Sequence, residues 1–299
     1  MLKITPDNTQ KNPYYIVAAK YSRQSAGVKA LHFLCHHLNK KGYPAYILNI
    51  SGMSLFDDDG GYVNPDFITP LLTEEIFLIH KKSGKTPITI YPDSVRGNPL
   101  RSSCIARYLL HYPGRLGGDS ENNFNENDLI FSYAQKIKDS LEKFDSEVLF
   151  MPICDSDVFN NEGVSTQRSG SCFYASKYQD YHGGELMDIT DNSVEITRSR
   201  PDSQTPSEIA ELFKKSAIFY SYEDTSLATE AMLCGCPVVF IRNEYFKEKT
   251  SLAVNELGTK GTRFSDELLD LKIIESEIPS AQAQYQKSVS DFWVALNNF

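Results

Sequence analysis

The stretch "YSYEDTSLATEAMLCGCPVVFI", residues 220–241, reads as the end of a strand, a sharp turn, a helix, a glycine stop and a second strand. "AIFY" leading into it and "PVVFI" after it are apolar runs suited to buried strands. Glu223 and Asp224 therefore fall where a strand gives way to a helix. Thr225 or Ser226 is placed to cap that helix, whose first-turn N–H groups could hold a phosphate. Glu230 lies further along it, and a carboxylate suits the paired hydroxyls of a ribose.

Outward from this segment the same rhythm recurs. Upstream stand "SCFYASKY", "SVEIT" and the helix-like "SEIAELFKKS", which together indicate an open α/β sheet over the second half of the chain. The first half opens with a βαβ unit: "YYIVAA", the polar loop "KYSRQSAG", the helical pattern "VKALHFLCHHLNKKG" and "YPAYILNI". Gly27 in that loop would let the backbone come close to a ligand. Further strands are expected at "PITIY", "LIFSYA" and "EVLFMPI", with "LRSSCIARYLLH" as a helix between the first two. The polar stretch "SDVFNNEGVSTQRSGS" separates the halves, giving domains at 1–160 and 161–281. A terminal helix over 282–299, carrying Trp293, is expected to pack back on the first domain. Asp57, Asp58 and Asp59, beside Gly60 and Gly61, read as a solvated loop.

The chain has 299 residues, room for two domains of about 150 each. Its hydrophobic share of 41% and charged share of 23% suit a globular protein. A net charge of -9 argues against nucleic-acid binding, which needs a clustered basic surface. No run approaches the length of a membrane span and "MLKITPDNTQ" lacks a signal-peptide core, so the expected location is cytoplasmic. The six cysteines lack paired metal spacing and read as reduced thiols. His32 and His36 share a helix face without a third ligand, which reads as packing rather than a metal site.

On the residues quoted, "YEDTSLATEAMLCGCPVV" resembles the donor-site segment of family 4-type retaining glycosyltransferases of the GT-B fold. The resemblance implies an α/β chain of two Rossmann-like domains facing a cleft. It implies an enzyme that moves a sugar from a nucleotide-diphosphate donor to an acceptor hydroxyl with retention and without a metal or other cofactor. "FYASKY" is similar to the strand whose cation reaches the donor diphosphate, which gives Lys177. Glu230 would hold the ribose, Thr225 and Ser226 would offer amides to the distal phosphate, and Glu223 or Asp224 would lie near the donor sugar. Glu223 and Glu230 are seven apart, one position closer than the family's usual spacing.

"YPDSVRGNPLRSSCIARYLLHYPG" resembles the amino-terminal halves of bacterial polysaccharide glycosyltransferases. It implies an acceptor side at Asp93, Arg96 and Asn98, with His111 touching the donor sugar. Capsule or lipopolysaccharide synthesis is the implied context, with a glycan or lipid-linked acceptor. A lipid-linked acceptor would bring Lys40–Lys41 and Lys81–Lys82 to the inner face of the membrane. Three other readings stand beside this one. Asp155 and Asp157 could hold a metal and nucleotide diphosphate in a GT-A enzyme. A nucleotide-sugar epimerase would share the donor site, and a non-catalytic module would only bind a nucleotide or sugar.

Overall fold

The computed structural model describes residues 11–49, 56, 63–115, 117–164, 167–198, 200–247, 260–267 and 269–297. Asp57, Asp58 and Asp59 lie outside them. In chain order come β1 (Tyr14–Ala18), α1 (Ala26–Lys40), β2 (Ala45–Asn49), α2 (Glu74–Lys82), β3 (Ile88–Pro92), β4 (Cys104–Leu109), β5 (Leu129–Ser132), α3 (Gln135–Asp139) and β6 (Glu147–Val148). The second half holds β7 (Ser171–Tyr174), α4 (Ser176–His182), β8 (Val194–Glu195), α5 (Pro206–Lys215), β9 (Ile218–Ser221), α6 (Leu227–Leu233), β10 (Val238–Phe240), β11 (Thr262–Phe264) and α7 (Leu271–Asn297). The chain divides into two units, Met1–Ile153 and Cys154–Phe299, ahead of the 160/161 break that composition suggests.

Each unit is built on its own sheet. The first has the order β2-β1-β3-β4-β5-β6 and the second β11-β10-β9-β7-β8, and every adjacent pair is parallel. Counted within its unit, the first sheet runs 2-1-3-4-5-6 and the second 2-1-3-4-5, the doubly wound order in which the chain reverses direction between the first and third strands. Those reversal points fall between β1 and β3 and between β7 and β9. Tyr15, Val17, Leu48, Tyr91 and Ile105 line one buried face of the first sheet. Phe173, Tyr220, Tyr222, Val239 and Ile241 do the same in the second.

The helices start where local chemistry directs. The Ser25 hydroxyl accepts the Val28 N–H at the start of α1. Thr205 and Glu208 exchange hydrogen bonds as a capping box ahead of Pro206 in α5. Thr73 caps α2, which carries Glu74 and Glu75 in its first turn and Lys81 and Lys82 in its last, as the helix dipole favours.

Four expectations are corrected. "LRSSCIARYLLH" is not helical: it supplies β4, whose residues Ile105 to Leu109 are all buried. β4 lies inside the sheet and is covered on both faces, so it lacks the alternation of a half-exposed strand. Arg107, which broke the apolar run, sits there as an ion pair with Asp128 at 2.6 Å. Two expected strands are shorter than read, since "EVLFMPI" pairs only at Glu147–Val148 and "SVEIT" only at Val194–Glu195. The last helix begins at Leu271 and runs through Pro279, well before the expected start.

α7 is tied to α6 by Gln282, whose Nε2 donates to the Met232 and Leu233 carbonyls at 3.0 and 3.2 Å. Arg168 ties down the end of α6 from another side, with Nη2 donating to the Cys234 carbonyl at 2.9 Å. Gly235 makes that approach feasible, because its φ is +72° and an added Cβ would lie 2.7 Å from Arg168 Nη2. Gly235→Ala is expected to cost about 1–2 kcal/mol. Urea denaturation would show it as a lower midpoint at unchanged slope.

Candidate functional site

In sheets of this order ligands bind beyond the carboxyl ends of the strands at the reversal point. In the second unit the parallel register pairs Tyr174 with Ser221. The residues that follow each strand, 175–178 and 222–226, are thereby brought side by side. The Glu223 Oε2 atom accepts the Tyr178 N–H at 3.0 Å, and its carboxylate also accepts the Lys177 N–H. A carboxylate from one strand end thus caps the helix that begins at the other.

Glu223 is 8% exposed, and its Oε1 is buried without a hydrogen-bond partner among the described residues. Burial pushes its carboxyl above the usual range, against the opposing pull of the Lys177 charge and the two amides. Lys177 itself is exposed. Ser221 holds the turn from behind, its Oγ donating to the Glu223 carbonyl at 2.6 Å.

Thr225 supplies the helix cap. Its Oγ1 accepts the Leu227 N–H at 3.3 Å, whereas Ser226 makes no side-chain cap bond. The same Thr225 oxygen accepts from Arg198 Nη2 at 3.3 Å. Arg198 is a buried cation that the sequence reading did not single out. Its guanidinium lies over the Tyr174 ring at 5.0 Å and donates to the Tyr174 hydroxyl at 3.4 Å. Its only sequence signal is an arginine just past the short strand "SVEIT". Asp224 is partly buried at the same turn, and Glu230 is enclosed within α6 at 4% exposure.

The first unit's strand ends hold Asp93, just past β3, and His111, just past β4. Asp93 Oδ1 accepts the Leu110 N–H at 2.9 Å, and the carboxyl also accepts the His111 N–H. Its Oδ2 is buried without a hydrogen-bond partner among the described residues, and burial pushes its carboxyl up to about 6. His111 Nδ1 accepts the Tyr112 N–H at 2.7 Å, so the neutral ring carries its proton on Nε2. Gly118 crosses directly over Asp93: an added Cβ would lie 1.8 Å from the Asp93 carbonyl oxygen.

Around them Arg107 knits the loops together. It pairs with Asp128, approaches Asp119 at 3.7 Å and donates to the Gly97 carbonyl at 3.3 Å. Arg96 is exposed and its Nε donates to the Gly117 carbonyl at 2.7 Å. Asn98 is committed to its own loop, its Oδ1 accepting from the Tyr91 hydroxyl and the Ser102 N–H while Nδ2 donates to the Ser102 carbonyl. Gly27 lies in the first turn of α1, where an added Cβ would meet Leu110 Cδ1 at 3.4 Å.

Thus Glu223, Asp224, Thr225, Ser226 and Lys177 gather at one strand crest, with Glu230 beneath them. Asp93, Arg96, Asn98 and His111 gather at the other unit's crest. Asp155 belongs to neither: its Oδ1 accepts the Asp157 N–H at 3.0 Å in a turn ahead of β7. His32 Nε2 donates to the Ala19 carbonyl and His36 Nδ1 accepts the Ile68 N–H, so both serve packing.

Neither a scan against protein-family models nor a search of the curated proteins finds a match. Among solved structures, the chain is similar to CalG4, the calicheamicin glycosyltransferase, with 10% identity and a TM-score of 0.44, covering 96% of this chain and 98% of that one. An α-glucosyltransferase in complex with UDP and a 13-mer DNA shows 15% identity and a TM-score of 0.44, covering 95% and 92%. MurG of Acinetobacter baumannii shows 8% identity and a TM-score of 0.40, covering 92% and 95%.

Two predictions test the two crests. Glu223→Ala removes the cap of α4 and is expected to cost about 1–2 kcal/mol, while Glu223→Gln keeps an acceptor oxygen and loses less; denaturant titration of both measures this. Asp93 has a folded-state pKa above its unfolded one, so the native state binds more protons between about pH 4 and pH 6. Its contribution to stability therefore falls as pH rises through that window, by on the order of 1–3 kcal/mol. Asp93→Asn should flatten this part of the stability-against-pH profile.

Proposed function

We propose that the chain is a glycosyltransferase that moves a sugar from a nucleotide-diphosphate donor to an acceptor hydroxyl, with the donor on the second unit. The observation that carries this reading is the turn 222–226 at the reversal point between β7 and β9. There, carboxylates, hydroxyls and the cations Lys177 and Arg198 meet on residues that the sheet brings together.

Departure of a nucleoside diphosphate develops negative charge. Lys177, the buried Arg198 and the amides opening α6 would stabilise that charge in place, which requires no metal. Thr225 and Ser226 are assigned to the distal phosphate. Glu230 is assigned to the ribose. Because it is enclosed, ribose contact requires the 223–226 turn to open as the donor enters. Asp224 is assigned to the donor sugar, with Glu223 keeping Lys177 in place, and His111 stays with the first unit's crest. On the acceptor side Arg96 is the exposed contact, while Asp93, Asn98 and Gly27 keep the loops in shape.

Retention of configuration and a role in bacterial capsule or lipopolysaccharide synthesis follow from the family resemblance, as does a glycan or lipid-linked acceptor. No helix among the described residues is long and apolar enough to cross a membrane. Contact with a lipid-linked acceptor is assigned, on the resemblance alone, to the inner membrane face.

The test is incubation with UDP-, GDP- and ADP-sugars together with candidate acceptor glycans, following release of free nucleotide with and without EDTA. Metal-independent release that requires an acceptor is expected, and Lys177→Ala should lower kcat/KM by about 100-fold. Release abolished by EDTA, isomerisation of the donor, or nucleotide binding with no turnover would each overturn the proposal.

A further inference from the structure

A cavity of about 630 Å³ opens at the amino-terminal end of the second unit's strands, away from the crest just described. Arg168 precedes β7, Ala217 precedes β9 and Gly235 precedes β10, so its floor is made by the amino-terminal ends of the strands. α7 closes one side with Glu275, Ile278, Pro279 and Gln282.

Two of this wall's donors, Arg168 and Gln282, are committed to the fold. Arg168 Nη1 donates to the Phe213 and Ser216 carbonyls at 3.5 and 3.4 Å, and Nη2 to that of Cys234. Gln282 Nε2 donates to the Met232 and Leu233 carbonyls. On the acceptor side, Gln282 carries its amide oxygen and Glu275 brings an exposed carboxylate. Pro279 has no N–H to give the Glu275 carbonyl one turn earlier, which leaves that oxygen without its helical donor. Asn161 stands exposed at the rim, and Val164, Ala217, Ile278 and Pro279 supply apolar surface.

Charge narrows the ligand. An anion would meet the Glu275 carboxylate and find the Arg168 N–H groups engaged, and a cation would meet the Arg168 guanidinium. A neutral molecule that donates many hydrogen bonds and has an apolar face satisfies both. Sugar rings have that character, with hydroxyl edges for the acceptors and C–H faces for Ile278 and Pro279, and the volume lies within the ordinary range of small-ligand sites. We propose that this cavity is a saccharide-binding site separate from the crest. This assignment does not depend on the transfer reaction.

The test is a printed array of neutral mono- to tetrasaccharides, with soluble forms of the bound sugars then titrated calorimetrically. Wild type is expected to bind a subset. Asn161→Trp, at an exposed rim position, should abolish that binding by filling the mouth. Glu275→Ala should weaken it about tenfold by removing a charged acceptor. Lys177→Ala, at the crest, should leave it unchanged while impairing nucleotide-sugar turnover. The proposal is overturned if no saccharide binds wild type, if both cavity variants bind like wild type while retaining its melting temperature, or if only the Lys177 variant loses the sugars. Failure of turnover with intact, cavity-dependent sugar binding would overturn the transfer reading alone.

Discussion

The parallel pairing of β7 with β9 is the constraint on which the rest of the second unit depends. These strands are 47 positions apart in sequence, Ser171 against Ile218, and the register continues to Tyr174 against Ser221. Neighbouring strands in a sheet lie about 4.8 Å apart. Whatever follows Tyr174 must therefore lie beside whatever follows Ser221. The Glu223 carboxylate reaches the amides of Lys177 and Tyr178 because the ladder delivers both to the same edge. Arg198 reaches Thr225 for the same reason, since β8 pairs with β7 on its other side. Charges distant in sequence converge without any long-range attraction needed to gather them.

Both units share one strand order, yet their crests are finished differently. In the first, Arg107 pairs with Asp128 and approaches Asp119, Asn98 closes its own loop, and Gly118 lies against the Asp93 backbone. Most polar atoms there hold loop to loop. In the second, the cation nearest solvent, Lys177, and the buried Arg198 stand beside two carboxylates on one short turn. A connection used for architecture and one suited to binding can thus occupy equivalent places in the same topology. Topology alone does not distinguish them, and side-chain chemistry has to.

That contrast explains what the amino-acid pattern made legible. Apolar runs bounded by turns marked β1, β3, β7, β9 and β10, and the alternation of strand with helix implied parallel sheets. The segment 220–241 displayed its strand, turn and helix directly, because successive residues there are also neighbours in space. β4 was not legible, since an interior strand covered on both faces lacks a period of two and Arg107 interrupts its apolar run. Its partners Asp119 and Asp128 lie far along the chain, so nothing local announces that the charge is compensated. Arg198 was missed for the same reason. Its significance comes from Tyr174 and Thr225, which lie in two other segments. Glu223 and Asp93 were located from sequence, but not their burial or their backbone partners.

Glu223 shows how position and chemistry interlock. A carboxylate that accepts two amides is ordinarily held in its charged form, and Lys177 acts in the same direction. Desolvation outweighs both, and the carboxyl is pushed upward. The fold therefore keeps a group in surroundings that oppose its charge, with one oxygen lacking a hydrogen-bond partner. The benefit is geometric: the bond fixes the backbone of Lys177 against the turn that carries Thr225, while the lysine side chain remains in water. A glutamine would make a similar bond without the charge. A carboxylate adds a field that draws the Lys177 ammonium toward the crest. An incoming anion would meet the Lys177 charge in the field of that carboxylate.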